Sequence, residues 1–227
     1  MVSAAQVLRF RGAIGTLTLA ATGQANSAIR QAWNPNPETF RDNLIEVTPA
    51  ILQPSMTAAA QLAAVFYEDA RREAVRGMYL AREDDSLPQG LVDGMVRYAV
   101  APAFGQSDKT VLSLLAAGLQ KAIAGASRNT IAANVQRDRT KVAYARVPSA
   151  GCCAFCAMLA SRGAAYTSEE SACDGDKYHS FCRCVATPVW EGQRPPYDVA
   201  RFEAIYAKGI KDGSFDLSNI REATGRA

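Results

Sequence analysis

Apolar side chains recur every three or four positions through most of the first 140 residues, the spacing that gathers them on one face of an α-helix. Val7, Leu8, Ile14, Leu17, Leu19 and Ile29 outline a helix over residues 3–32. It should stop before Asn34-Pro35-Asn36-Pro37, because a residue preceding proline is pushed out of the α region. Phe40, Leu44, Ile45 and Val47 mark a second helix from Pro37 to Pro49, with Pro49 and Pro54 expected to end or bend it. A third is expected from Ser55 to about Ala81, its apolar face including Leu62, Val65, Phe66, Val75 and Leu80. Glu83-Asp84-Asp85 with Ser86 and Pro88 reads as a loop, and the helical period resumes over Leu91 to Val100 and from Asp108 to about Asp138. Ser107 or Asp108 suits the N-cap of the longer of these.

At Lys141 the period shortens to about two, so that Val142, Tyr144, Arg146 and Val147 read as a strand leading into Gly151-Cys152-Cys153. A short helix over Phe155 to Ser161 should end at Gly163, and Ala165-Tyr166-Thr167 turns into an acidic loop. Cys184 to Trp190 is a second strand, and Pro195-Pro196 opens a last helical stretch through Lys211. The expected fold class is α+β: a predominantly helical region over residues 1–140, a small α+β module over 141–192 with a Cys/His metal knot, and a helical tail over 193–227.

Composition supports a soluble globular chain, with 48% hydrophobic and 21% charged residues in 227. That length buries a core without disulfides. No signal-peptide pattern opens the chain, since Arg9 and Arg11 interrupt its start. The apolar stretches Ala13 to Thr22 and Val111 to Ala126 are respectively too short and broken by Gln120 and Lys121, so no membrane anchor is expected. The net charge of +3 arises wholly after residue 127. Arg128, Arg137, Arg139, Lys141 and Arg146 face only Asp138 in sequence, a basic stretch that could meet a polyanion or simply be solvated.

All six cysteines lie between residues 152 and 184, together with the lone histidine. Clustering of this kind favours a metal knot and a reducing compartment during synthesis over a disulfide framework. Cys153 and Cys156 have the spacing with which a tight turn presents two sulfurs to one ion, and His179-x-x-Cys182-x-Cys184 supplies the remaining ligands. Four of Cys153, Cys156, His179, Cys182 and Cys184 are therefore expected to hold a structural zinc. Alternation puts Cys182 and Cys184 on the same side, so spacing does not choose between them, and Cys152 and Cys173 read as spectators. A thioredoxin-like redox pair would want a βαβ setting. A zinc deaminase needs His-x-Glu ahead of Pro-Cys-x-x-Cys, the opposite order. A cysteine nucleophile with His179 as base is the remaining rival, and five knotted ligand types suit a closed metal site better.

Arg146, Pro148, Cys153-Ala154-Phe155-Cys156-Ala157-Met158-Leu159, Gly163, Tyr166, Tyr178-His179, Cys182-Arg183-Cys184 and Pro188, in that order, resemble the phage Mu protein F-like domain of minor head proteins from tailed phages of actinobacteria. The resemblance covers roughly residues 128–190. It implies a minor capsid protein present in few copies inside the head near the portal, with a part in DNA packaging or ejection. Such a protein is made in the host cytoplasm and has portal or major capsid protein as partners. Packaged double-stranded DNA is a further partner, through sequence-independent phosphate contacts. Relatives fused to a protease or a toxin are known in that group. Here the single histidine belongs to the knot and only about 37 residues follow Trp190, so no enzymatic activity and no small-molecule substrate are expected. The alternative is a cytoplasmic zinc-knot or cysteine-dependent enzyme, or a nucleic-acid-binding regulator.

Overall fold

The computed structural model describes residues 1–101, 108–168, 181–211 and 214–224. Helix α1 (Ala4–Ala32) opens with a capping box, Ser3 accepting from the Gln6 N–H while Gln6 reaches back to the Ser3 N–H. Helix α2 (Pro37–Ala74) starts on Asn36, whose side chain accepts from the N–H groups of Glu38 and Thr39. The two pack as an antiparallel hairpin, with Phe10 stacked on Phe66 at 4.4 Å between ring centroids. Leu8 and Leu19, expected on the apolar face, point outward at 62% and 75% exposure, while Phe10, Ala21 and Ala25 fill the buried stripe. Alanines carry that face because they let the backbones approach closely.

The expected break at Pro49 and Pro54 does not occur: α2 runs through both. Each proline deprives a carbonyl one turn back of its donor, at a cost of about 3 kcal/mol or more. Beside these sites Thr48 Oγ donates to the Leu44 carbonyl at 2.6 Å and Ser55 Oγ to the Ile51 carbonyl at 2.9 Å. Full burial of Phe40, Leu44, Leu52 and Met56 on the same helix, about 1.5–3 kcal/mol each, outweighs the defect. The helix ends at Ala74, short of Ala81, and residues 75–90 cross the bundle as an extended arm.

Helix α3 (Leu91–Val100) and helix α4 (Asp108–Arg137) complete the bundle. By length and composition the Thr110–Arg137 portion of α4 could cross a membrane, yet here it is the central helix, touching α1, α2, α3 and both strands of the main sheet. Val111, Leu115, Leu119, Ile123, Ile131 and Val135 are buried on it, which is why its apolar residues surround it rather than lining one face. Asn134 on α4 pins the arm as a strand would, accepting from the Arg82 N–H at 2.9 Å and donating to the Arg82 carbonyl at 2.7 Å.

Strand β1 (Val142–Val147) pairs antiparallel with β2 (Val185–Trp190), and Tyr166 bridges to Tyr144 on the other side of β1. Tyr144 directs its N–H and carbonyl to Tyr166, so its cross-strand partner Pro188 needs no N–H for the ladder. Asp138, just after α4, accepts from Arg71 Nε at 2.7 Å, from Tyr67 Oη, and from the Thr140 N–H and hydroxyl. Thr140 in turn accepts from Trp190 Nε1, which ties the bundle to the sheet. One apolar cluster runs from Val2 to Trp190, so the change of element type near residue 140 is not a break in the core.

Helix α5 (Ala154–Ala160) follows β1. Beyond the sheet, helix α6 (Val199–Lys208), the two-residue strands β3 (Ile210–Lys211) and β4 (Ser214–Phe215), and helix α7 (Leu217–Thr224) fold back on it. Ala154, Ala157 and Ile220 form a small second cluster with Phe202, Ile205 and Tyr206. The expected single helix through Lys211 is thus shorter, and the hairpin and α7 are added.

Candidate metal centre

Strand β1 delivers the chain through Pro148 to a turn in which Cys152 N–H donates to the Ser149 carbonyl and Gly151 takes φ 65°, a left-handed value that favours glycine. Cys153 then caps α5, its sulfur accepting from the Cys156 N–H at 3.4 Å. One turn into α5 that geometry turns Cys156 inward. From the other side, Cys182 and Cys184 enter just before β2. The Sγ atoms of Cys156, Cys182 and Cys184 lie within 4.8 Å of one another, all three buried, with Cys156 and Cys182 at 3.4 Å. Cys152 and Cys153 pack against them.

The donor set fits a soft divalent ion. Ligand sulfurs about 2.3 Å from a tetrahedral zinc stand roughly 3.8 Å apart, close to the spacing here. Among the described residues all five cysteines are free thiols. The alternative between Cys182 and Cys184 dissolves in the structure, which brings both to the cluster. Cys153 stands beside it as the helix cap, while His179 and the spectator Cys173 lie outside the described residues. Hydrogen bonds from the Cys156 and Cys184 thiols lower the Cys182 pKa, and the charge of Arg128 adds to this against the opposing effect of burial. Cys156 is pushed up by its hydrogen bonds to Cys153, Cys182 and Cys184, and by burial. A bound cation would favour thiolates throughout the cluster.

The bundle holds this centre through residues far away in sequence. Arg128 on α4 donates to the Cys182 carbonyl at 2.9 Å and to the Cys184 carbonyl at 2.9 and 3.1 Å. Gln120, two turns earlier, donates to the Cys182 carbonyl at 2.8 Å and accepts from the Phe181 N–H at 2.7 Å. That bond holds Phe181 at φ 63°, a left-handed value that non-glycine residues seldom adopt. Arg11 on α1 donates to the carbonyls of Val147, Pro148 and Arg183, spanning both cysteine segments. Arg11 and Gln120 carry no site signature in the sequence. Their only signal is a polar side chain interrupting an apolar helix, which says nothing of a metal centre.

The basic stretch is corrected by the structure. Arg128 and Arg146 are buried, at 4% and 1% exposure, and face the protein interior instead of a polyanion. Arg146 lies with its guanidinium 5.8 Å from the Phe155 ring centre. Lys141 pairs with Glu191 at 2.9 Å. Arg137 and Arg139 remain at the surface. The run is dispersed because residues on a helix, a turn and a strand point in different directions.

No curated protein and no solved structure matches the chain. The family model described as VG15 protein matches residues 1–209, taking in the bundle, the cysteine centre, the main sheet and helix α6. On that match the chain belongs to the VG15 protein family, a family of phage proteins.

Proposed function

We propose that this chain is a structural component of the phage particle, a minor head protein inside the capsid near the portal, stabilised by one zinc ion. The observation that carries the reading is the family match, which extends over helical bundle and cysteine centre as one unit. The resemblance of residues 128–190 to the phage Mu protein F-like domain supplies the finer assignment. Fastening of the centre to α1 and α4 by Arg11, Gln120 and Arg128 suits a metal whose binding free energy is spent on folding. In this reading the centre is structural, with no protease or toxin chemistry and no small-molecule substrate.

Helix α2, with 38 residues, is about 57 Å long at 1.5 Å per residue, long enough to lie along a portal or shell surface. In this reading packaged DNA meets the exposed members of the basic stretch, Arg137, Arg139 and Lys141. The test is quantitative mass spectrometry of gradient-purified, DNA-filled particles, with crosslinking to portal and major capsid protein. A fixed, low copy number with portal crosslinks supports the assignment. A chain confined to the soluble lysate and missing from particles refutes it and favours the regulator or enzyme reading.

A further inference from the structure

We propose that Cys156 and Cys182 are an oxidative modification site, at which the metal-held centre converts to a disulfide-held one with release of the metal. The inference rests on the proposed zinc centre and adds to it a defined pair and a defined reaction. Three observations point to this pair. Their sulfurs are 3.4 Å apart, about 1.4 Å beyond a disulfide bond length, so that small side-chain rotations close the gap. They are brought together by α5 and by the segment before β2, and Arg128 and Gln120 hold that second segment independently of a sulfur–sulfur bond. Finally, they line a cavity of about 280 Å³ that Cys152, Cys153 and Cys184 also border, which leaves room for a small oxidant, and within it Cys156 and Cys182 are the pair whose sulfurs already touch.

The oxidant class is a hydroperoxide, with hydrogen peroxide the simplest. One thiolate attacks the peroxide oxygen, the O–O bond breaks, hydroxide leaves and a sulfenic acid forms. The second thiolate attacks that sulfur, forming the S–S bond and expelling a second hydroxide. Two protons convert both hydroxides to water. Two electrons pass from sulfur to peroxide, and the ion loses two of its ligands. A chain made in a reducing cytoplasm and carried out in a particle would meet this change of conditions.

The experiment uses the full-length chain, reduced and zinc-loaded, titrated with hydrogen peroxide. A chromophoric chelator follows zinc, thiols are counted after denaturation, and peptide mapping locates the bond. One zinc released for every two thiols lost, a Cys156–Cys182 linked peptide, and reversal by dithiothreitol plus zinc are expected. Cys152→Ser should oxidise in the same way as the parent chain, which keeps the test open if Cys156→Ser fails to fold. Zinc retained with its thiols intact in excess peroxide overturns the switch while leaving the metal reading in place. A bond joining other cysteines, or a Cys152→Ser variant that no longer releases zinc, overturns the assignment of the pair. A reduced chain that binds no zinc at all refutes the metal reading itself, and with it the release step.

Discussion

Replacing Arg128 by leucine removes a buried cation and three hydrogen bonds, at 2.9, 2.9 and 3.1 Å, to the carbonyls of Cys182 and Cys184. The Cys182 carbonyl keeps Gln120 as a donor, whereas the Cys184 carbonyl loses both bonds from Arg128. Bonds from a charged donor contribute about 1.5–3 kcal/mol each, but sharing of two acceptors by one guanidinium makes them less than additive. About 3–5 kcal/mol is expected, against a total stability of about 5–15 kcal/mol for a folded domain. For a chain of this size that corresponds to a fall in Tm of roughly 10 °C. Displaced ligands should also weaken zinc binding about 10–100-fold, as loss of outer-shell support does elsewhere. Thermal melts followed by circular dichroism, and competition for zinc with a chromophoric chelator, measure the two effects. Arg128→Lys should fall between, because an ammonium cannot reproduce the planar fork that reaches both carbonyls. Arg139→Ala, on the exposed turn, is the control and should leave both unchanged. An Arg128→Leu chain with parental Tm and zinc affinity, or one as mild as Arg139→Ala, would refute the clamp.

Cys156→Ser should abolish stoichiometric zinc and lower the melting temperature of the whole chain, because bundle and sheet share one core; elemental analysis and circular dichroism read the two, and Cys173→Ser should be nearly silent in both. Asp138 responds to acid: burial pushes its pKa up, but Arg71 and the hydrogen bonds from Thr140 outweigh this and hold the carboxyl below its ordinary range. A depressed carboxylate contributes stability that is present above its unfolded pKa of about 3.9 and is lost as pH falls through the lower folded value. The urea midpoint should therefore drop below about pH 4, and Asp138→Asn should start lower at pH 7 and lose less on acidification; equal slopes would contradict the assignment. Asn134→Leu removes the paired bonds to Arg82 and should cost about 2–3 kcal/mol. It should release the arm to trypsin at Arg76 and Arg82, and an unchanged cleavage rate would mean that the arm is held by other contacts.

The helical period, the stop of the first helix before Asn34-Pro35, the change of period at Lys141 and the bounds of α3 were all legible, because each depends on residues within a turn or two of one another. So was the gathering of cysteines into one short region. Local pattern failed at Pro49 and Pro54, where the cost of a missing donor is local but the burial that offsets it comes from α1 and α4. It failed again at Leu8 and Leu19, since a helix rich in alanine has several plausible apolar faces and only its neighbours select one.

What the sequence determined by itself was the class of fold, the inventory of soft ligands and the order in which they arrive. The tertiary structure decided which sulfurs meet and what supports them. Cys156 reaches Cys182 across 26 positions, and Arg11 reaches Arg183 across 172. It also decided that Arg128 and Arg146 are interior cations, although on paper they belong to the same basic run as exposed Arg139. Charge along a chain is a property of composition, whereas the destination of a long polar side chain depends on which unsatisfied carbonyls and sulfurs the packed elements leave within its reach.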